Sequence, residues 1–247
     1  MKIVFSKQEF LVGRLQEVVT FLFEQLHRQK VASKVVLPCS LHDLAVIAAD
    51  QNLKSSYKAV DYLANDSMWL TFWFHLKYRR FFDRLYGPTL MRVFLNRSAV
   101  QKSLKHYFLA ADQASQLSLQ NHISKNYPQL QAEFAFLPRG VSATDEEKSL
   151  QKVLLSQATI IWLGIGSPKQ VRLAESLKQK SQGKLIFCVG AAFDFLSGQK
   201  KQAPLWMQNI GLEWLFRLFS EPRRLWKRYL VVVPGFFIFS LKEKLKP

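Results

Sequence analysis

The sequence predicts an α/β fold, with a parallel β-sheet flanked by helices, and three observations support this class. Residues 158–163 and 184–189 are short, almost unbroken apolar runs, as in parallel strands that are buried on both faces. Residues 167–182, which lie between them, have the pattern of a helix, so the three segments form one βαβ unit. Of the 247 residues, 49% are hydrophobic, which is enough for a full core.

The elements before this unit fit the same class. Residues 8–30 carry apolar side chains at helical spacing and predict a helix. The β-branched run 34–38 predicts a strand that ends at Pro38, and Ser40 can then cap a helix over 41–51. The remaining predictions in this part are a strand over 59–63, a strand over 105–110, a helix over 113–126 and, over 128–150, a loop that leads into a helix.

Two segments combine aromatic and basic side chains. Residues 68–82 predict either a core helix or a helix that contacts lipid or a lipid-linked substrate, and the sequence leaves both open. Further on, residues 205–219 are amphipathic, and residues 199–247 hold ten Lys and Arg against three Glu. We therefore expect an α/β core over 1–204 and, over 205–247, a basic helical appendage that associates with an anionic membrane surface.

The net charge of the chain indicates which class of partner it binds. Lys and Arg number 35 and Asp and Glu 18, a formal net charge of +17, which favours an anionic partner. No nucleic-acid recognition motif is present, so nucleic acid is not an expected partner. No stretch reaches the roughly 18 apolar residues of a membrane-spanning helix. Cys39 and Cys188 both lie in apolar sequence and are interpreted as small buried residues, which fits a cytoplasmic protein.

Several kinds of chemistry have no motif in this sequence. The five histidines have no metal-ligand spacing, and no Asp-x-Asp pair is present to hold a divalent cation on a nucleotide-sugar. Gly164-x-Gly166 lacks the third glycine of a dinucleotide fingerprint. We therefore expect neither a metal nor a cofactor. If the substrate is a nucleotide-sugar, arginines and backbone amides must hold its phosphates.

From residue 158 onward the sequence resembles a known family. The segments IIWLGIGSPKQ, CVGAAFDFLSG and APLWMQNIGLEWLFRLFSEPRRLWKRYL are similar to the bacterial WecG/TagA/CpsF glycosyltransferases, and a fainter resemblance begins near residue 35. The resemblance implies a Rossmann-like fold and a metal-independent, inverting transfer in cell-surface polysaccharide biosynthesis. The sugar would pass from a UDP-sugar donor to a polyprenyl-diphosphate-linked acceptor. The enzyme would be peripheral on the inner, cytoplasmic face of the cell membrane, docked by a basic C-terminal appendage.

The same resemblance assigns roles to particular residues. Asp66 matches the position of the candidate general base, and Arg84 matches an arginine suited to the diphosphate. The candidate substrate-binding residues are Gly164, Gly166, Pro168, Lys169 and Gln170 in one loop, Gly190, Ala191, Phe193 and Asp194 in a second, and Arg217, Arg224 and Arg228 in the appendage.

The N-terminal motifs depart from the family pattern. Asp-Gly-x-Gly has become Asp66-Ser67-Met68-Trp69, and Thr-Pro-Asn has become Leu37-Pro38-Cys39. These changes fit an altered donor or acceptor. They also fit an alternative function, that of a catalytically inactive member that acts as a binding partner in a polysaccharide assembly complex. The sequence leaves open which sugar is donated and whether the chain forms a homo-oligomer.

Overall fold

The computed structural model describes residues 2–5, 8–27, 32–49, 51–101, 103–138, 140–232 and 234. In these ranges, eight strands form one sheet. They are β1 (Lys2–Phe5), β2 (Gln8–Leu11), β3 (Lys34–Cys39), β4 (Tyr62–Asn65), β5 (Lys105–Ala110), β6 (Gln131–Phe136), β7 (Ile160–Gly164) and β8 (Leu185–Cys188).

Helices cover both faces of the sheet. They are α1 (Leu15–His27), α2 (Leu41–Ala49), α3 (Gln51–Tyr57), α4 (Met68–Tyr78), α5 (Gly87–Ser98), α6 (Gln113–Asn126), α7 (Ala143–Leu155), α8 (Lys169–Lys180) and α9 (Ala192–Leu196). The described part of the C-terminal appendage contains α10 (Leu205–Asn209), α11 (Glu213–Ser220), α12 (Pro222–Lys227) and a π-helical turn, Arg228–Val232. No described helix is both long and apolar enough to span a membrane.

The strand order is β1-β2-β4-β3-β8-β7-β5-β6, and every pair is parallel except β1 with β2. Side chains alternate between two apolar cores, as expected of a sheet buried on both faces. In β7, for example, Ile161 faces one core and Trp162 the other. The predicted Rossmann-like α/β class is therefore confirmed, including the unit β7-α8-β8.

An aromatic ladder crosses four neighbouring strands on one face of the sheet. Phe134, Phe108, Trp162 and Phe187 stand in register, with ring centroids 5.0, 6.3 and 4.2 Å apart and planes within 12° of parallel. His106 stacks beside it and accepts a hydrogen bond on Nδ1 from Trp162 Nε1–H at 3.0 Å. Burial lowers the pKa of His106 to about 3, so the ring is neutral at physiological pH.

Some predicted elements are wrong in kind or in length. The helix predicted over 8–30 begins only at Leu15, because Gln8–Leu11 pairs with β1 and β4 as a strand. Within the predicted loop 128–150, Gln131–Phe136 is an edge strand. The strand expected over 59–63 lies later, at β4, and β3 continues one residue past Pro38.

Candidate active site

The loops that follow the parallel strands converge at one edge of the sheet. There they surround a cavity of about 580 Å³, walled mainly by the turns after β3, β4, β5, β7 and β8. The connection after β5 leads to β6 on one side, while the connection after β7 leads to β8 on the other. Such a reversal of direction opens a crevice at the carboxyl ends of the strands, which is where open α/β sheets bind ligands.

A second cavity, of about 740 Å³, adjoins the first on the side of the appendage. We call the first the polar cavity and the second the apolar cavity, because the second is lined by Met68, Trp69, Trp214, Leu230 and similar side chains. Four residues line both cavities and therefore mark their junction: Ser40, His42, Asp66 and Arg217.

Asp66 follows β4 and reaches this junction. Its Oδ1 accepts a hydrogen bond from the Gly87 N–H at 2.9 Å, at the start of α5. Burial raises the pKa of Asp66 above the ordinary value, and the Arg84 guanidinium and the Gly87 N–H oppose that rise without cancelling it. A carboxylate with a raised pKa in a cleft is suited to accept a proton.

Arg84 ties the α/β core to the appendage. Its Nη1 forms an ion pair with Glu213 Oε2 at 2.7 Å, and its Nε donates to the Asp66 carbonyl oxygen. The Tyr86 hydroxyl donates to Glu213 Oε1 at 2.8 Å, and the Arg84 guanidinium lies 4.1 Å from the centre of the Tyr86 ring. Burial lowers the pKa of Arg84, but the Asp66 and Glu213 carboxylates outweigh it and hold the pKa above its usual value. Arg84 lines the apolar cavity.

Arg217 lies one helical turn after Glu213 in α11. Its guanidinium stacks over Phe195 at 5.4 Å, and its Nε is buried without a hydrogen-bond partner among the described residues. Burial lowers the pKa of Arg217, but nearby groups, the Glu213 and Asp66 carboxylates among them, raise it by more, so the guanidinium stays charged. A buried guanidinium with an unsatisfied N–H at the wall of two cavities is suited to an anion.

Gln170 holds the two candidate nucleotide loops together. From the start of α8, its Oε1 accepts from the Gly166 N–H at 3.2 Å and from the Gly190 N–H at 3.1 Å. Its Nε2 donates to Ser167 Oγ at 3.2 Å and to the Cys188 carbonyl oxygen at 3.3 Å. One buried amide side chain therefore fixes the loop after β7 against the loop after β8.

Most of the other predicted site residues whose side chains are described lie at the polar cavity. Gly164, Gly166, Gly190, Ala191 and Asp194 line the polar cavity, as Gln170 does. Gly164 also has a packing role, because a Cβ at this position would lie 2.5 Å from the ring of Phe193.

Three predicted site residues line neither cavity: Pro168, Lys169 and Phe193. Lys169 forms an ion pair with Glu146 at 2.8 Å, and Phe193 is buried against Gly164. The side chains of Arg224 and Arg228 lie outside what the structure describes.

Several residues at the site, His42 and Glu213 among them, were not singled out as functional from the sequence. His42 lines both cavities, but a lone histidine in an apolar helix carries no distinctive pattern. Glu213 is a polar residue of the amphipathic segment 205–219, yet its partner Tyr86 is 127 residues away along the chain, so no local signal reveals the pairing.

The model of the Glycosyl transferase WecG/TagA/CpsF family matches residues 6–247, nearly the whole chain. The match includes the strand-end loops, the Asp66 turn and the appendage, which are the parts that form the two cavities.

Proposed function

We propose, because the chain belongs to the Glycosyl transferase WecG/TagA/CpsF family, that it transfers a sugar from a UDP-sugar to a polyprenyl-diphosphate-linked glycan. The observation that carries the proposal is the meeting of the two cavities at Asp66 and Arg217. A cavity walled by strand-end loops suits a nucleotide diphosphate. An apolar cavity beside it suits a lipid-linked acceptor.

In the proposed mechanism, Asp66 is the general base. It takes the proton of the acceptor hydroxyl while that oxygen forms a bond to the anomeric carbon of the donor sugar. The bond from this carbon to the phosphate oxygen breaks on the opposite face, and UDP departs with the electron pair, so the configuration inverts. The raised pKa of Asp66 supports this role, since a base is most effective when its pKa approaches the working pH.

Arg217 is the residue that we propose to neutralise the leaving diphosphate. Its buried Nε–H has no hydrogen-bond partner among the described residues, and a phosphate oxygen would satisfy it. Such a preorganised cation stabilises negative charge as it develops in the transition state. By resemblance to the family, Arg224 and Arg228 add to this charge. With arginines in place of a divalent metal ion, the transfer requires no metal.

The appendage is also the part that we propose to dock on the inner face of the cell membrane. Exposed apolar residues, among them Phe219, Trp226, Leu230 and Val231, alternate there with basic ones. Lys227 lies over the ring of Trp226 at 5.5 Å. Aromatic and basic side chains together favour the headgroup region of an anionic bilayer.

One observation favours the alternative of an inactive binding partner. Ser67 and Trp69, which stand where the family's Asp-Gly-x-Gly motif has its two glycines, line the apolar cavity. These side chains occupy space that glycines would leave to an acceptor.

Turnover separates the two functions. UDP-sugars are first screened for the one that raises the melting temperature, because a ligand at 100 times its Kd stabilises the fold by about 2.7 kcal/mol. That donor is then supplied with a polyprenyl-diphosphate-linked acceptor in anionic vesicles, in excess EDTA. We expect glycan product at the same rate with and without EDTA. A strict need for a divalent cation would contradict metal independence, and donor binding without product would favour the alternative.

A further inference from the structure

One face of α4 is apolar and exposed. Trp69, Phe72 and Leu76 follow one another at helical spacings of three and four, and Phe81 comes just after the helix. The opposite face, with Leu70 and Phe74, is buried against the sheet, so the core explains the apolar residues on that face but not those on the exposed face. Leu76 is 81% exposed and Phe81 77%, and several exposed apolar side chains on one surface, unlike a single one, mark an interaction site.

The same segment is cationic. No acidic residue occurs between Asp66 and Asp83, while Lys77, Arg79 and Arg80 are exposed beside the apolar face. The Lys77 ammonium lies 4.7 Å from the ring centre of Trp73 and 5.4 Å from that of Tyr78. Exposed rings bordered by cations match the charge of an anionic phospholipid surface, whereas they do not match the largely basic surface of a second copy of this chain.

The exposed face is continuous with the apolar cavity. Trp69 is half exposed and also lines that cavity, and its ring lies 6.4 Å from the ring of Phe72. From the appendage, Gly211 packs against this residue, since a Cβ on Gly211 would lie in van der Waals contact, 3.6 Å from Trp69 Nε1. Trp69 is therefore the common wall of the cavity and of the exposed face.

We propose that this α4 surface, formed by Trp69, Phe72, Leu76 and Phe81 with Lys77 and Arg79, inserts into the headgroup region of an anionic bilayer. It is a second contact, separate from the appendage, and it places the mouth of the apolar cavity at the lipid. The lipid chain of the acceptor then enters the cavity beside Trp69 without crossing water. The entry route rests on the proposed function, whereas the bilayer contact stands without it.

The chain offers a matched pair of variants as a test. Leu76→Glu with Phe81→Glu alters the α4 surface, while Val100→Glu with Leu155→Glu makes the same change at two residues, each 78% exposed, that lie outside it. Full-length proteins are sedimented with vesicles of phosphatidylglycerol and phosphatidylcholine. We expect the α4 variant to bind about tenfold more weakly or worse, and the control to bind within about twofold of wild type.

Equal binding by wild type and the α4 variant, or an equal loss in both variants, would overturn the proposal. The proposal would also be overturned if the α4 variant lost self-association in sedimentation equilibrium but still sedimented with vesicles as wild type does. Because Phe81 contacts the His75 ring, Leu76→Glu alone is measured as well, with melting temperatures for all variants.

Turnover tests the entry route separately. Transfer to a long-chain acceptor in vesicles should fall in the α4 variant, while transfer to a water-soluble short-chain acceptor should not change. A loss with both acceptors would overturn the entry route. An absence of turnover in wild type would refute the proposed function and leave the vesicle result to decide the bilayer contact.

Discussion

The carboxylate that we propose as the general base, Asp66, carries a cost in stability. Burial raises its pKa above that of an unfolded aspartate, so between the two pKa values the native state binds more protons than the unfolded state. Stability therefore falls as the pH rises through this window, and the ionised side chain destabilises the native protein at neutral pH. This is the reverse of the usual effect of a paired surface carboxylate.

Asp66→Asn separates the proposed effect of this carboxylate on the transfer rate from its effect on stability. The amide oxygen can still accept the Gly87 N–H, but the side chain can no longer take a proton. We expect the transfer rate to fall by ~10²–10⁴-fold, while UDP binding is unchanged and the melting temperature at pH 7 is equal or higher. Initial rates and thermal melts measure both.

Asp145→Asn is the matched control, because Asp145 is an exposed carboxylate at the start of α7 that lines neither cavity. Its transfer rate should equal that of wild type. A rate for Asp66→Asn within about threefold of wild type would remove Asp66 from the mechanism.

At the scale of elements, Glu213 fastens α11 to the core through Arg84 and Tyr86. The contact fixes Arg217, one turn later, at the wall of both cavities. The appendage thus completes the site as well as carrying exposed apolar residues, so we expect catalysis and membrane docking to depend on the same segment.

A chain that ends at Pro204 tests this dependence. It should keep the circular dichroism of an α/β core, lose transfer activity and sediment less with anionic vesicles, with residual binding through the α4 surface. In the full-length chain, Arg217→Gln should lose transfer but retain vesicle binding. Full turnover and full binding by the shortened chain would refute both roles of the appendage.

The sequence predicts the elements whose signals are local. The helix over 113–126 has both ends correct, and its start is fixed locally, because Asp112 caps it by accepting the Ser115 N–H at 2.8 Å. Strand β2 is missed because its apolar residues continue the helical spacing of α1, and only pairing with β1 and β4 distinguishes the two. Edge strand β6 is missed because it is half exposed and therefore lacks an apolar run.

The candidate site also has parts that local sequence signals predict and parts that depend on long-range contacts. The loops of Gly164 and Gly190 lie at the ends of obvious strands, so their convergence could be expected from a parallel sheet. The roles of Glu213 and Gln170 could not, because each depends on contacts that only the folded chain brings together.

At the scale of the whole molecule, His106, which stacks beside the aromatic ladder, makes stability depend on pH. The pKa of His106 is about 3 in the fold and near 6.5 when unfolded, so the unfolded state binds the additional proton between these values. His106 therefore leaves the free energy of unfolding unaffected above about pH 6.5. Below that pH, the free energy of unfolding falls by roughly 1.4 kcal/mol for each pH unit.

His106→Gln keeps a hydrogen-bond acceptor for Trp162 Nε1–H but cannot titrate. Between pH 6.5 and pH 5, urea unfolding of wild type should lose about 2 kcal/mol more than that of the variant. Asp66 titrates in both proteins, so its effect cancels in the comparison. Parallel pH profiles would show that His106 is not the source of the acid sensitivity.

The four hydrogen bonds of Gln170 set a rule for engineering this enzyme. A chimaera that takes only the loop after β7, or only the loop after β8, from a relative with another donor sugar would present Gln170 with one foreign backbone. The amide bridges both turns only where the backbone groups of Gly166, Cys188 and Gly190 keep their present positions. Residues 164–170 and 188–194 must therefore be grafted together, as one cassette.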